Sequence, residues 1–167
     1  MRRAQPEARA EFFRRYAPQV RRILFLQGLC DEVDDAVQEV FIKVFRAELP
    51  AEERFLAWFY RLILNTGRDE GRRRRARQGL AERLEAVAAE TAHPEPEVPA
   101  DPALRAALES LAPDFREAVA LRFFADLSLE SIAAAQEVPV GTVKSRLHGA
   151  LARLRQALAD AGYGAGT

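Results

Sequence analysis

The sequence predicts an all-α protein in which two small helical domains are joined by a proline-rich, acidic linker. Apolar residues recur at intervals of three and four, and good helix formers such as Ala, Leu, Arg and Glu dominate the 167 residues. β-branched residues are scattered, so no strand is expected. Four prolines between positions 90 and 102 oppose helix, because each lacks a backbone donor. We therefore expect domains at 1–80 and 102–167 and a flexible linker at 81–101.

Eight helices are expected from the apolar periodicity. In the first domain their approximate ranges are 7–16, 18–29, 34–46 and 53–77. In the second domain they are 102–111, 114–125, 129–135 and 140–159. Two caps support this division, because Asp101 before Pro102 is typical of a helix start and Ser128 is placed to cap the third helix of the second domain.

The charges are unevenly distributed although the formal net charge is zero. Residues 1–80 carry 17 Lys and Arg against 12 Asp and Glu, whereas residues 81–103 carry 1 against 6. Such asymmetry points toward nucleic acid. The apolar runs are too short for a membrane span and the N-terminus lacks the apolar stretch of a signal peptide, so we expect a cytoplasmic protein.

Metal, cofactor and catalytic sites are not expected. The single cysteine, Cys30, excludes an internal disulfide, and we expect it to pack as a small apolar residue. With only two histidines beside it, soft metal ligands are too few. The sequence also shows no nucleophile with a nearby base and no glycine-rich phosphate loop, so we do not expect an enzyme.

The stretch from Val138 to Arg155, VPVGTVKSRLHGALARLR, predicts a helix with two unlike faces. One apolar stripe is expected to face the core and comprises Val140, Val143, Leu147, Leu151, Leu154 and Leu158. The opposite face carries small and polar residues between cationic edges, which suits a DNA major groove with bases in the middle and phosphates on both banks. Upstream, Ser128 to Pro139 supplies a short helix and a turn, as in a helix-turn-helix. On pattern alone, an ordinary amphipathic helix pair is an equal alternative.

The segment LSLESIAAAQEVPVGTVKSRLHGALARLR resembles the C-terminal helix-turn-helix of bacterial extracytoplasmic-function (ECF) sigma factors, whose hallmark run matches Val138 to Leu147. The resemblance implies that the second helix reads the promoter −35 element. The implied DNA contacts are Thr142, Lys144, Ser145, Arg146, His148 and Arg153. Three departures are Gln136 and Glu137, where relatives usually have Leu-Gly, and Gly149, where many relatives have a cation. We expect Glu137 to occupy a turn that favours positive φ and to bring negative charge near the DNA face, and Gly149 to remove a contact.

A second segment, DEVDDAVQEVFIKVFR, places Val37, Val40, Phe41, Val44 and Phe45 on one helical stripe. The other side carries Asp35, Gln38, Glu39 and Ile42, an apolar residue ringed by polar ones that would suit a partner helix. The segment resembles a sigma-factor signature that binds the clamp coiled coil of the polymerase β′ subunit. The resemblance therefore implies that these four residues contact core RNA polymerase.

The third segment, RFLAWFYRLILNTGRDEGRRRRAR, interleaves aromatic and basic residues, a combination that binds single strands. Phe55 and Phe59 are expected to be core, and the arginine run alone would be a solvated helix end. The segment resembles the sigma-factor part that holds the melted −10 element. The implied contacts are Trp58, Tyr60, Arg61, Asn65, Arg68, Arg72 and Arg73.

These matches predict an alternative sigma factor that binds core RNA polymerase, through the β′ clamp and the β flap, and directs it to promoter DNA. The resemblance further implies an anti-sigma partner, a monomer when free, no membrane insertion and association with the nucleoid when active. Two alternatives remain open. One is a free-standing helix-turn-helix regulator, and the other is a sigma-like interaction protein that has lost promoter recognition, for which Gln136, Glu137 and Gly149 are the hints.

Overall fold

The computed structural model describes residues 6–81 and 101–163, so most of the predicted linker lies outside the described residues. Every regular element within the described ranges is helical. The helices are α1 (Pro6–Leu26), α2 (Val33–Arg46), α3 (Glu52–Ala81), α4 (Pro102–Glu109), α5 (Pro113–Val119), α6 (Leu129–Gln136) and α7 (Val140–Asp160). None of them is long and apolar enough to cross a membrane.

The first helix corrects a prediction, because α1 continues through Pro18 where two helices were expected. A proline inside a helix costs a hydrogen bond and crowds the preceding turn. Burial on both sides of Pro18 offsets this cost. Phe12 contacts Phe59 before the proline, with ring centroids 5.5 Å apart, and Val20, Ile23 and Leu24 are fully buried after it.

The core of the N-terminal domain (α1–α3) contains an aromatic cluster beside aliphatic side chains. Phe59 is fully buried, and the rings around it are those of Phe12, Tyr16, Phe55 and Tyr60. Helix α2 closes the core with Val37, Val40, Phe41 and Val44, which are buried as its periodicity predicted. Edge-to-face pairs, and the stacked pair of Phe55 with Phe59, add to the stabilisation from buried area. The polar face of α2 is therefore left on the outside.

The C-terminal domain (α4–α7) begins with the predicted cap, since the Asp101 carboxylate accepts hydrogen bonds from the backbone N–H groups of Ala103 and Leu104 at 2.8 and 3.4 Å. Helix α5 continues into a single π-helical turn at Ala120–Phe124. The buried side chains of this domain are aliphatic and small, and they include Leu108, Leu121, Ile132, Val143 and Ala150. Small residues allow its short helices to approach one another closely.

The two domains pack against each other. Helix α6 lies along α3, and α1 contacts the π-helical turn. The guanidinium of Arg22 lies over the ring of Phe124 at 5.9 Å, and that of Arg105 lies over Phe25 at 5.8 Å. Cys30, which was expected to pack as an apolar residue, is exposed, because the chain turns between α1 and α2 at this point.

Candidate nucleic-acid and polymerase interfaces

Helices α6 and α7 form the predicted helix-turn-helix. The Ser128 hydroxyl caps α6 by accepting a hydrogen bond from the N–H of Ser131 at 3.1 Å. Helix α6 ends at Glu137, whose backbone is left-handed with φ 57° and ψ 43°. Most residues with a Cβ avoid this conformation, and glycine is its usual occupant. The extended Pro139 then starts α7.

Helix α7 has the two faces that its sequence predicted. Its buried stripe contains Val143, Leu147, Ala150 and Leu154, while Val140, Leu151 and Leu158 are half-buried at its borders. On the other side, Lys144, Ser145 and His148 are exposed and Thr142 is half-exposed. The first two turns of α7 thus present a cation, a hydroxyl and an imidazole to solvent, a combination that can contact phosphates and base edges.

Arg146 supports the turn of the motif. Its guanidinium donates to Asp114 Oδ2 at 3.0 Å and to Gln136 Oε1 at 3.2 Å. The buried Gln136 in turn donates to the backbone oxygen of Asp114 at 3.3 Å. Gln136 lies where relatives usually have an apolar leucine. Its buried amide is accommodated by a hydrogen-bonded network that links α5, α6 and α7.

Gly149 has a packing role that the sequence did not indicate. The ring of Phe115 lies so close that a Cβ at Gly149 would be 2.8 Å from Phe115 Cε2. On its other side the guanidinium of Arg153 lies 4.7 Å from the centre of the same ring. Gly149 was expected on the DNA-facing side, but it faces α5, because the aromatic ring requires a position without a side chain.

The candidate polymerase surface lies on α2, opposite the aromatic core. Asp35, Gln38 and Ile42 are exposed, and Ile42 exposes 42% of its surface. Glu39 is half-buried and pairs with Lys43 at 3.4 Å, one turn along the helix. The four residues therefore form one polar face with a central isoleucine.

Helix α3 distributes its seven candidate −10 contacts unevenly. Asn65, Arg72 and Arg73 are exposed, and Trp58 is half-buried with its ring 5.8 Å from that of Phe55. Tyr60 was expected among the DNA contacts, but only 3% of it is exposed and its hydroxyl donates to Gln19 Oε1 at 2.9 Å. The burial raises the pKa of Tyr60 to about 12. In this structure Tyr60 is therefore a core residue.

Two other candidate −10 arginines are engaged by the C-terminal domain. Arg61 donates to the backbone oxygen of Ala134 at 2.7 Å and pairs with Glu137 at 3.3 Å. Arg68 makes a two-pronged contact with Glu117, with Nε 2.9 Å from Oε1 and Nη2 bonded to Oε2. This contact raises the pKa of Arg68 above its ordinary value, first through the hydrogen bond and then through the charge of Glu117. Both arginines are therefore paired with carboxylates of the other domain, while about two fifths of each side chain stays exposed.

A basic cleft of about 270 Å³ lies where the two domains meet. Arg68, Arg72, Arg75 and Arg116 line it, with Glu117 as its acidic residue. Arg116 donates to the backbone oxygens of Leu26 at 3.3 Å and Leu111 at 3.1 Å. Burial lowers the pKa of Arg116 below its ordinary value. The cleft concentrates positive charge beside the face of α3 that carries Asn65.

Sequence reasoning missed Glu117, which is 2% exposed. It accepts hydrogen bonds from Arg68 and also from Gln27 Nε2, at 3.0 Å. A signal was available, because Glu117 lies four residues before the buried Leu121 and therefore on the core face of its helix. A charged residue at such a position is rarely buried without a partner. Its partners come from the other domain, which the periodicity of α5 does not reveal.

Two family models match the chain. "Sigma-70 region 2" matches residues 12–77, and "Sigma-70, region 4" matches residues 107–156. These ranges coincide with the N-terminal and C-terminal helical domains. The fold and the matches together define a protein of the sigma-70 class, which comprises transcription initiation factors that are not enzymes.

Curated relatives identify the group within this class. The chain is 39% identical over 158 residues to the ECF RNA polymerase sigma factor SigE of Mycolicibacterium smegmatis, covering 89% of this chain and 61% of that protein. It is 33% identical over 147 residues to the ECF RNA polymerase sigma-E factor of Haemophilus influenzae, covering 80% and 78%. The chain belongs to the ECF RNA polymerase sigma factors.

Two solved structures share its fold. The structure of CnrH in complex with the cytosolic domain of CnrY matches with a TM-score of 0.69 and 25% identity, covering 95% of this chain and 91% of that chain. The sigma factor RpoE in complex with the anti-sigma factor NepR, from Bartonella quintana, matches with a TM-score of 0.67 and 24% identity, covering 89% and 95%.

Proposed function

We propose that this chain acts as an alternative sigma factor that binds core RNA polymerase, directs it to promoters with −35 and −10 elements and enables transcription to start. The observation that carries the proposal is the first half of α7, where Lys144, Ser145 and His148 are exposed on a helix-turn-helix in the domain that matches region 4. The second domain, which matches region 2, supports the proposal that the promoter has two recognised elements.

For the −35 element, the exposed residues of α7 are the proposed base and phosphate contacts. Arg146 and Arg153 are proposed to act at the edges of the groove, and their contacts with Asp114 and Phe115 hold their side chains in place. Pre-placed arginines lose less conformational freedom on binding than free ones. Thr142, half-exposed at the start of α7, is proposed to contact a phosphate.

For the −10 element, the proposed contacts are Trp58, Asn65, Arg72 and Arg73, joined by Arg61 and Arg68 once the domains separate. Tyr60 would support this surface from the core. The polar face of α2 is the proposed site for the polymerase clamp, because Ile42 offers an apolar contact inside a polar rim. The β flap is the proposed partner of the C-terminal domain.

An anti-sigma protein is the further partner that we propose. CnrH, the solved structure with 25% identity, was determined with the cytosolic domain of CnrY bound. The exposed Ile42 and the exposed face of α7 are the surfaces that such a partner would cover. Action on RNA polymerase would place the protein in the cytoplasm, with the nucleoid when active.

Run-off transcription with bacterial core polymerase, with and without the chain, on a pool of genomic promoter fragments tests the proposal. We expect new start sites preceded by a shared two-block sequence. Lys144→Ala should weaken promoter binding and leave polymerase binding intact, whereas Gln38→Ala with Glu39→Ala should do the reverse. Arg155→Ala is the matched control, because Arg155 is an exposed cation on the same helix about 16 Å further along.

Each alternative has its own signature in this experiment. Polymerase binding without transcripts would contradict promoter recognition and favour a sigma-like interaction protein. Absence of both polymerase binding and transcripts would favour a free-standing regulator, which would bind duplex DNA alone. If the α2 and α7 variants lowered polymerase binding equally, the proposed division of labour between the domains would be wrong.

A further inference from the structure

We propose that the basic cleft binds a small anion that carries a diphosphate group, either inorganic pyrophosphate or the diphosphate part of a nucleotide. The cleft lies between α3 and α5, and its volume is about 270 Å³. Its ligand is a small molecule and not a promoter strand, so the site goes beyond the proposed promoter contacts. Three features of the cleft support it, namely its charge, its shape and its size.

The basic cleft holds more positive charge than its own carboxylate neutralises. Among the residues that the structure describes, Glu117 is the only carboxylate in its lining, and both oxygens of Glu117 are bonded to Arg68. Arg75 and Arg116 also line the cleft, and neither forms an ion pair with any described residue. Two cations of the lining therefore have no counter-charge.

Arg116 is a partly buried cation whose hydrogen-bond partners are uncharged. Its guanidinium donates to the backbone oxygens of Leu26 at 3.3 Å and Leu111 at 3.1 Å. These acceptors hold the guanidinium in place without neutralising its charge. Partial burial of a charge without a counter-charge costs free energy, and a bound anion lowers this cost. Arg116 is therefore positioned in advance for an anion.

Two glycines shape the α3 side of the cleft. Gly67 and Gly71 both line it and lie one turn apart, on the same face of α3. A Cβ at Gly67 would overlap Gln27 Oε1, so the glycine allows the Gln27 amide to pack against the helix. A Cβ at Gly71 would meet no atom within 4 Å. The cleft is therefore open above Gly71, and a ligand can approach the helix backbone closely there.

A diphosphate group fits these features. Guanidinium groups bind phosphate oxygens with a planar fork, and a phosphate group carries more than one negative charge near neutral pH. Because Arg75 and Arg116 belong to different helices, an anion with two phosphates suits them better than one with a single phosphate. The volume lies just below the range of about 300–1,000 Å³ that is typical for drug-sized ligands, which favours a compact anion. A nucleic-acid strand would have to continue beyond the cleft on both sides, and it is the alternative that the experiment separates.

Isothermal titration calorimetry of the full chain with inorganic pyrophosphate tests the site. ADP, inorganic phosphate and a short single-stranded DNA oligonucleotide of mixed sequence are titrated in parallel. Arg116→Gln and Arg75→Gln each remove one cation of the lining. Gly71→Leu fills the cleft without a change in charge and favours helix. Arg77→Gln is the matched control, because Arg77 is an exposed cation on α3 that does not line the cleft.

We expect one pyrophosphate to bind per chain, with similar affinity in the wild type and in Arg77→Gln. Arg116→Gln should lower the affinity about tenfold or more, because it removes charged hydrogen bonds. Gly71→Leu should lower it by about the same factor through overpacking, and the exposed Arg75→Gln about 2–5-fold. Inorganic phosphate should bind more weakly than pyrophosphate. Tighter binding of ADP than of pyrophosphate would identify a nucleotide as the ligand, and the reverse order would identify the inorganic ion.

Circular dichroism confirms that each variant is folded. If Arg116→Gln is not folded, Arg75→Gln and Gly71→Leu carry the test. Failure of both pyrophosphate and ADP to bind saturably at millimolar concentration would overturn the site. Equal losses of affinity in Gly71→Leu and Arg77→Gln would do the same, because they would show that the shape of the cleft is irrelevant. Weaker binding of the oligonucleotide alone in the cleft variants would assign the cleft to nucleic acid and overturn the diphosphate site.

Run-off transcription with the same samples keeps this inference separate from the proposed function. A chain that binds pyrophosphate but gives no transcripts would retain the site and contradict the proposed function. A chain that gives transcripts but binds neither pyrophosphate nor ADP would do the opposite.

Discussion

The two candidate DNA surfaces of this protein differ in how many of their residues are engaged by contacts within the fold. On α7, Lys144, Ser145 and His148 are exposed, whereas on α3 the cations Arg61 and Arg68 are paired with carboxylates of the other domain. The cores behind the two surfaces differ as well. Rings surround Phe59 behind α3, while aliphatic side chains and a glycine contact support α7. The contrast teaches that packing of the domains engages candidate contacts on one surface and leaves those on the other surface accessible.

Substitution of Phe59, in the aromatic cluster behind α3, should have the largest effect on stability. Phe59→Ala removes a fully buried ring that contacts four others, so we expect a loss of about 3–5 kcal/mol in the free energy of unfolding. Chemical denaturation followed by circular dichroism measures it. Leu56→Ala is the control and should cost less than about 1 kcal/mol, because Leu56 is 45% exposed. Equal losses would show that the core does not depend on the Phe59 ring.

Gly149→Ala tests the tighter packing of the C-terminal domain. Alanine favours helix by up to about 1 kcal/mol over glycine, but its Cβ would lie 2.8 Å from the Phe115 ring. We expect a net loss of about 1–3 kcal/mol, because overpacking outweighs the gain in helix propensity. Gly141→Ala on the same helix meets no atom within 4 Å and should be neutral or stabilising. Thermal melts of both variants check the prediction, which a stabilised Gly149→Ala would contradict.

Two substitutions of Glu137 distinguish the free-energy cost of its left-handed backbone from the contribution of its ion pair with Arg61. Glu137→Gly and Glu137→Gln both remove the pair with Arg61, but only glycine relieves the left-handed backbone. We therefore expect the glycine variant to be more stable than the glutamine variant by about 1 kcal/mol. Chemical denaturation of the two variants side by side measures the difference. Equal stability would mean that the left-handed conformation stores no strain here.

Substitution of Tyr60 should have the smallest effect on stability, and this effect should depend on pH. Its pKa is about 12 in the folded protein and about 10 in an unfolded chain. The burial of the neutral phenol thus contributes stability that is complete below pH ~10 and is lost as the pH rises toward ~12. At pH 7, Tyr60→Phe should cost about 1 kcal/mol, the value of one hydrogen bond to Gln19.

Denaturation of both proteins between neutral and alkaline pH checks the sign of this effect. The disadvantage of Tyr60→Phe should shrink above pH ~10, because the phenylalanine variant has no phenol to ionise in the unfolded state. A constant difference across this range would show that Tyr60 is not shielded from solvent as the structure indicates. Tyr163→Phe tests whether burial is the cause, because Tyr163 is exposed and its pKa is raised instead by a hydrogen bond to Asp101 and by the charge of that residue.

Much of the fold and part of the site could be predicted from local sequence patterns. The all-α class, the caps at Asp101 and Ser128, the buried stripe of α7 and the polar face of α2 all follow from side-chain spacing on one helix. The continuity of α1 through Pro18 was not predictable, because packing against the aromatic core offsets the local cost of proline. Tyr60 was expected on the −10 surface and Gly149 on the DNA-facing side of α7. Neither burial against a neighbour could be predicted, because a helical wheel does not show which element packs on each face of a helix.

The sequence by itself determined that the chain forms two amphipathic helical domains and belongs to the ECF sigma factors, since motifs and periodicity are properties of neighbouring residues. Only the tertiary structure decided which of the candidate DNA-binding cations form ion pairs with the other domain. The resemblance implied Arg61 and Arg68 as −10 contacts, yet in the fold they meet Glu137 and Glu117, which lie 76 and 49 positions further along the chain. The physical reason is that ion pairing depends on distance in space, and packing of the domains brings these charges within 4 Å of each other.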